Sequence, residues 1–252
     1  MTSYLQRVSR YSLLVGALLC SSVVMASGLQ VSPISLSLQA RENASGLTLS
    51  NTGDNKVHAQ VRVYQWTQDE TGDKLTLSRG LLASPPMIEL NPSQKQLIRI
   101  IRATAPPQGV GAVAASYRVV IDELPIKYPD QQSGLQFALS YSVPVFVNPT
   151  DVTKTEPNLQ WQMYLPPDST QVMLRVSNTG NGHAQLADLS YVDAVGHNTD
   201  IYKGLVGYVL PGATMNWTLK IPPSTVATGG TFKVMVNGTQ ILQDIALDNT
   251  PR

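Results

Sequence analysis

Cysteine is all but missing from this 252-residue chain: Cys20 is the single example, so no disulfide can form within the chain. Whatever cores the protein has must hold by packing alone. Charge is sparse, with 18 basic and 17 acidic residues, and only three histidines, His58, His183 and His197, are available for metal ligation or proton transfer. Apolar runs are short as well. None reaches the roughly twenty residues a helix needs to cross a bilayer, and none keeps a helical apolar period for three turns.

The longest apolar run follows Arg7 and Arg10 and extends from Tyr11 to about Met25, interrupted by Ser12, Ser21 and Ser22. This is the pattern of a secretory signal, with Val24-Met25-Ala26 as the cleavage site, so residues 1–26 are expected to be removed. Leu19 stands before Cys20 where a lipoprotein site would want a small residue, which argues against lipidation. Removal takes away Arg7 and Arg10 and leaves 16 basic against 17 acidic residues, a net charge of −1. Neither nucleic acid nor an anionic lipid surface has an electrostatic claim on such a chain, and no membrane insertion is expected after the signal is gone. About 226 residues remain, enough for two cores.

What is present is β-structure. Short apolar or alternating runs punctuated by Gly, Pro and Asn predict strands at Leu47 to Ser50, Val57 to Trp66, Gln96 to Arg102, Ser116 to Leu124 and Leu135 to Val147. Four more are expected at Gln171 to Ser177, Ala184 to Val192, Met215 to Ile221 and Thr231 to Val236. The class is all-β, and strands so spaced suit a sandwich.

The chain also repeats itself. Leu49-Ser50-Asn51-Thr52-Gly53 precedes His58-Ala59-Gln60-Val61, and Val176-Ser177-Asn178-Thr179-Gly180 precedes His183-Ala184-Gln185-Leu186, at separations of 127 and 125 residues. One module therefore occurs twice, each copy joining two neighbouring strands through an Asn-Thr-Gly turn whose glycine tolerates positive φ. Pro149 and the polar stretch to Asn158 place the boundary near residue 148, giving domains 27–148 and 149–252.

One strand is too long for its own domain. Every odd position from 135 to 147 is apolar (Leu135, Phe137, Leu139, Tyr141, Val143, Val145, Val147), and period two sets them on one face. A typical strand has about five or six residues. Pro144, which has no N–H, belongs on an edge rather than in the middle of a sheet. The row either packs wholly inside its own domain or is offered in part to another protein as an added strand, and alternation alone leaves both open.

Catalytic groupings are thin. A nucleophilic triad needs a histidine oriented by an acid beside Ser or Cys, yet His58 and His183 are repeat equivalents and His197 sits in a polar Gly-His-Asn loop. Asp69, Glu70 and Asp73 form an acidic hairpin tip, and no glycine-rich phosphate loop follows a strand. No enzyme activity, metal or cofactor is expected.

Three segments carry a resemblance: Pro85-Pro86-Met87-Ile88-Glu89-Leu90-Asn91-Pro92 followed by Gln96-Leu97-Ile98-Arg99-Ile100, then Tyr117 to Pro125, then Val143-Pro144-Val145-Phe146-Val147. In this order and spacing the chain resembles the PapD-like periplasmic pilus-assembly chaperones over nearly all its mature length. The resemblance implies two immunoglobulin-like β-sandwich domains arranged as a boomerang. It also implies a periplasmic chaperone that binds, folds and caps pilus subunits by donor-strand complementation and delivers them to an outer-membrane usher.

Leu135, Phe137, Leu139, Tyr141 and Val143 would be the subunit-binding donor strand, and self-association is one way the free protein could cover that edge. A pilus subunit or adhesin, or a generic surface module, are the alternatives. Where better-known members hold the subunit's terminal carboxylate with an Arg and a Lys, the matching positions here are Ser35 and Pro144, which points to the archaic, Csu-like branch. Asn148 likewise replaces a basic residue at the domain junction and leaves Glu123 without an interdomain partner. The anchor is then expected from Arg118, with Arg102 and Arg99 next, on strands expected to border the cleft.

Overall fold

The computed structural model describes residues 28–69, 71–125, 138–150, 152–167 and 169–248. The expected signal segment, Leu135, Phe137 and Glu70 lie outside the described residues. Ten strands precede residue 148: β1 (Leu29–Ser32), β2 (Leu36–Leu38), β3 (Ala44–Asn51), β4 (Val57–Asp69), β5 (Gly72–Leu77), β6 (Leu81–Ser84), β7 (Met87–Leu90), β8 (Lys95–Arg102), β9 (Ala115–Leu124) and β10 (Ser140–Val147). After it come β11 (Leu159–Tyr164), β12 (Val172–Asn178), β13 (Ala184–Asp193), β14 (Asn198–Val209) and β15 (Thr214–Leu219). A single-turn helix α1 (Pro223–Val226) leads to β16 (Gly230–Val236), β17 (Thr239–Ile245) and β18 (Leu247–Asp248).

These strands form four sheets, two in each half of the chain. In the first half β1-β3-β8-β6 faces β2-β10-β9-β4-β5, with β7 also paired to β4; in the second, β15-β12-β11-β18 faces β14-β13-β16-β17. Each pair closes on the apolar face of alternating strands. Leu47, Leu49, Ile98 and Ile100 meet Val119, Ile121, Val143 and Val145 in the first core, while Leu174, Val176, Leu186, Tyr191, Phe232 and Val234 fill the second. The architecture is all-β, with two immunoglobulin-like sandwiches. No described helix is long and apolar enough to cross a membrane.

The repeat is built from two equivalent buried asparagines. Asn51 and Asn178 are each 1% exposed. Asn51 Nδ2 donates to the carbonyls of Asn55 (2.7 Å) and Leu90 (3.1 Å), and its Oδ1 takes the Gly53 N–H (3.0 Å). Asn178 Nδ2 donates to Gly182 (2.8 Å) and Val209 (3.0 Å), and its Oδ1 takes the N–H groups of Gly180 (2.9 Å) and Asn158 (3.0 Å).

Neither Gly53 nor Gly180 takes positive φ. At Gly180 close approach requires glycine, since a Cβ would lie 2.3 Å from the Glu156 carbonyl oxygen, whereas a Cβ at Gly53 would lie 3.3 Å from the Gly28 Cα.

Candidate functional site

β10 is bonded unequally on its two edges. On one side it runs antiparallel to β9 over its full length, Ser140 opposite Asp122 through Val147 opposite Ala115. On the other, β2 pairs with it in parallel only from Val145 to Val147. Backbone direction follows from two bonds: the Glu123 N–H donates to the Leu139 carbonyl (2.8 Å) and the Asn148 N–H to the Leu38 carbonyl (2.9 Å). Odd residues therefore turn their peptide groups to β9, and Ser140, Ser142, Pro144 and Phe146 turn theirs to the other edge.

Among the described strands, none pairs with that outer edge from Ser140 to Pro144. Pro144 is tolerated because its missing N–H would have pointed to this open side and not to β9. β2 stops covering the edge where Pro33, Ile34 and Ser35 leave the sheet, all three exposed.

The side chains of the same strand divide by depth. Val143 is 3% exposed in the first core, with Val145 and Val147 beside it. The Val143 side chain packs in its own domain, while the backbone of its neighbours faces outward. Leu139 and Tyr141 are half-buried against the same core, and the Tyr141 hydroxyl donates to the Leu29 carbonyl of β1 across the sandwich.

The outer face of β10 and its neighbours meets the second half of the chain. Trp66 of β4 and Phe146 of β10, each 2% exposed, belong to the second core although they come from the first half. Phe146 stacks flat on His183, with ring centroids 3.4 Å apart, and Trp66 meets Tyr208 edge-on at 5.3 Å. Gln68 ties the same seam from both ends of its amide, donating to the Tyr208 carbonyl (3.0 Å) and accepting the Leu210 N–H (2.8 Å). Burial pulls the His183 pKa down to about 4.

Arg118 lies where this seam reaches the open edge. It stands opposite Pro144 on β9, its guanidinium lies over the Trp66 ring at 3.7 Å and within 5.0 Å of Tyr208, and Nη1 reaches the Ser142 carbonyl on the free edge at 3.4 Å. Burial lowers its pKa from the ordinary arginine value, while Tyr208 and Asp73 oppose that shift. A planar cation held by one face against an indole keeps its edge donors free for a planar anion.

The other two arginines are not brought to this place. Arg99 and Arg102 lie on β8 in the opposite sheet. Arg99 is exposed on its outer face, opposite in direction to the buried Ile98 and Ile100. Arg102 donates to the Ala40 carbonyl (2.8 Å) and to Asn43 Oδ1 (2.9 Å). Glu123 likewise stands away from the junction, where its Oε2 accepts the Leu139 N–H at 3.1 Å. Asn148 bonds Gln39 Oε1 (3.1 Å) and accepts from Thr155 (3.4 Å).

Sequence patterning gave no sign that Phe146 stacks on His183 with Trp66 tilted beside it. An exception at an even position of the alternating row, Phe146, was the available signal. The remaining polar groups stay apart: His58 approaches Glu89 (3.2 Å), Asp69 takes the N–H and hydroxyl of Thr71, and the His197 N–H donates to Asp193.

Two joined immunoglobulin-like sandwiches thus leave one edge of β10 unpaired among the described residues, with Arg118 beside it. Residues 28–153 match the family model described as "Pili and flagellar-assembly chaperone, PapD N-terminal domain", and the chain belongs to this family of pilus-assembly chaperones. Comparison of the sequence with curated proteins gives no match.

Among solved structures it is similar to a chain of the CsuC–CsuE chaperone–tip adhesion subunit pre-assembly complex, from the archaic chaperone-usher Csu pili of Acinetobacter baumannii. The identity is 24% and the TM-score 0.67, covering 88% of this chain and 99% of that one. It is also similar to a chain of the Salmonella enterica SafA pilin–SafB chaperone complex (18% identity, TM-score 0.58, 90% and 99% covered). The Pseudomonas aeruginosa CupB2 chaperone is a third (19%, 0.56, 87% and 100%). At these identities the likeness bears on the fold. The family and fold are those of non-enzymatic chaperones.

Proposed function

We propose that this chaperone works in the periplasm, lends the segment Leu135 to Tyr141 to an unfinished pilus subunit, and passes the subunit to an outer-membrane usher. The observation that carries this is the outer edge of β10, unpaired by any described strand from Ser140 to Pro144. A subunit strand added there would find the outward peptide groups of Ser140 and Ser142, each ladder bond contributing a net of about 0.5 to 1.5 kcal/mol. Leu135, Phe137 and Leu139, on the face that is apolar throughout, would enter the subunit's groove with Tyr141 at its end, at about 1.5 to 3 kcal/mol for each fully buried side chain. Arg118 would hold the subunit's terminal carboxylate at the seam. Arg99 and Arg102, on the opposite sheet, would not.

The chain is divided at residue 148 into an N-terminal domain that carries the donor strand and a C-terminal domain that completes the cleft. The absence of basic residues at Ser35 and Pro144 and the likeness to the Csu complex favour the archaic branch. Capture from native periplasm tests the strand. Ser142→Pro removes one outward N–H, and its peptide groups do not serve the ladder to β9. The variant is expected to stay folded by circular dichroism and to recover several-fold less subunit. Parental recovery by a folded Ser142→Pro variant would sink the assignment.

A further inference from the structure

Two adjacent acids on β9 grip two adjacent residues where the described part of β10 begins. Asp122 stands opposite Ser140 and accepts its hydroxyl on Oδ1 at 2.7 Å, while Oδ2 pairs with Arg62 Nη2 of β4. A side-chain bridge therefore crosses three neighbouring strands on the outer face of the sheet. Glu123 takes hold of the backbone next door: its N–H donates to the Leu139 carbonyl at 2.8 Å, and its Oε2 accepts the Leu139 N–H at 3.1 Å. A carboxylate oxygen thus serves where a continuing ladder would use a main-chain carbonyl.

The place of this grip gives it meaning. β9 ends at Leu124 and Pro125 follows, and among the described residues Leu139 is the one nearest the N-terminus of the lent strand whose peptide group is bonded to β9. Farther toward the N-terminus lies the apolar row offered to the subunit. We infer that Asp122 and Glu123 are positioning residues that clamp the root of the donor strand and set the register in which the preceding residues leave the domain. Both act through β10. The Ser140 hydroxyl and Arg62 lower the Asp122 pKa, which keeps the acceptor ionised, and an ionised acceptor strengthens each bond it receives.

This inference rests on the strand-lending function, so its test has one arm that needs no partner. Amide exchange on the free mature chain is expected to quicken about three- to tenfold at Leu139, whose N–H Glu123 accepts, in Asp122→Ala and in Glu123→Gln, with Val143, Val145 and Val147 unchanged. Ser140→Ala should behave like Asp122→Ala, whereas Ser140→Thr, which keeps the hydroxyl, should restore parental exchange. The second arm uses the subunit recovered from native periplasm with the parental chain and re-expressed. Its dissociation from Asp122→Ala is expected to quicken by about the same factor.

Unchanged exchange, or identical behaviour of Ser140→Ala and Ser140→Thr, would overturn the clamp while leaving strand lending intact. Faster exchange with parental dissociation would overturn its role in capture. A failure of strand lending itself appears separately, as undiminished capture by Ser142→Pro.

Discussion

Arg118 gains its character from what its neighbours do with the rest of the cation. Trp66 occupies one face of the guanidinium and Pro144 lies on the neighbouring strand, so the N–H edge is directed along the seam toward the open backbone of Ser142. A lysine could supply charge there but neither the stacked plane nor the paired donors. A charge-assisted bond to a terminal carboxylate contributes about 1.5 to 3 kcal/mol, roughly ten- to hundredfold in affinity. Arg118→Ala is therefore expected to weaken subunit binding by that factor, and Arg118→Lys to recover only part of it. Arg99→Ala and Arg102→Ala should bind as the parent does. Titration calorimetry with a purified subunit decides, and equal affinities across the set would remove Arg118 from the anchor role.

Sequence placed all three arginines on strands and put Arg118 first, but it supplied no contact that sets Arg118 apart. Alternation tells which face a residue takes, not which sheet another domain will cover. The asparagines of the repeat were easier to find, because a buried polar group that satisfies several backbone groups tolerates little change and so marks both copies of the module.

At the scale of elements, the proposed function asks β10 to serve both its own core and a partner, and the depth of its side chains separates the two. From Val143 onward the odd residues are core, so Val143→Ala should cost about 1 to 3 kcal/mol of stability in the first domain. Its effect on capture should be no larger than the loss of folded protein explains. Ser142→Pro should do the reverse, sparing the core and impairing capture. Denaturant melts of both variants beside their capture yields check this, and a stable Val143→Ala protein would contradict its burial.

The alternating row from 135 to 147 was legible, and so was the edge character conveyed by Pro144, but the described strand begins only at Ser140. The point at which the edge opens was not. It depends on β2, three residues long, whose brevity no local pattern announces. β14 escaped for a different reason: Gly204 and Gly207 interrupt its twelve residues, and Gly207 is there because the Trp217 ring lies where a side chain would be, 3.1 Å from an ideal Cβ.

For the whole molecule, the seam between the sandwiches is a core in its own right, and His183 makes it sensitive to acid. The ring lies flat on Phe146 and near Tyr208, and burial holds its pKa at about 4, below the ordinary 6.5. Unfolded chains take up the proton as pH falls through 6.5, whereas the native state resists until about 4. Stability is thus full above pH 6.5 and declines across the window from 6.5 to 4, by roughly 3 kcal/mol at most.

Carboxylates with lowered pKa values, such as Asp122 and Glu89, contribute stability that is lost only at more acidic pH, which separates the two effects. A melting series from pH 7 to 4.5 should show the parental Tm falling by several degrees, at about 2 to 4 °C per kcal/mol for a chain of this size. His183→Phe keeps a flat apolar ring against Phe146 and cannot be protonated, so its Tm should hardly change over the same range. If the two proteins lost stability in parallel, the acid sensitivity would have to arise elsewhere than in the stack that joins the donor strand's base to the second domain.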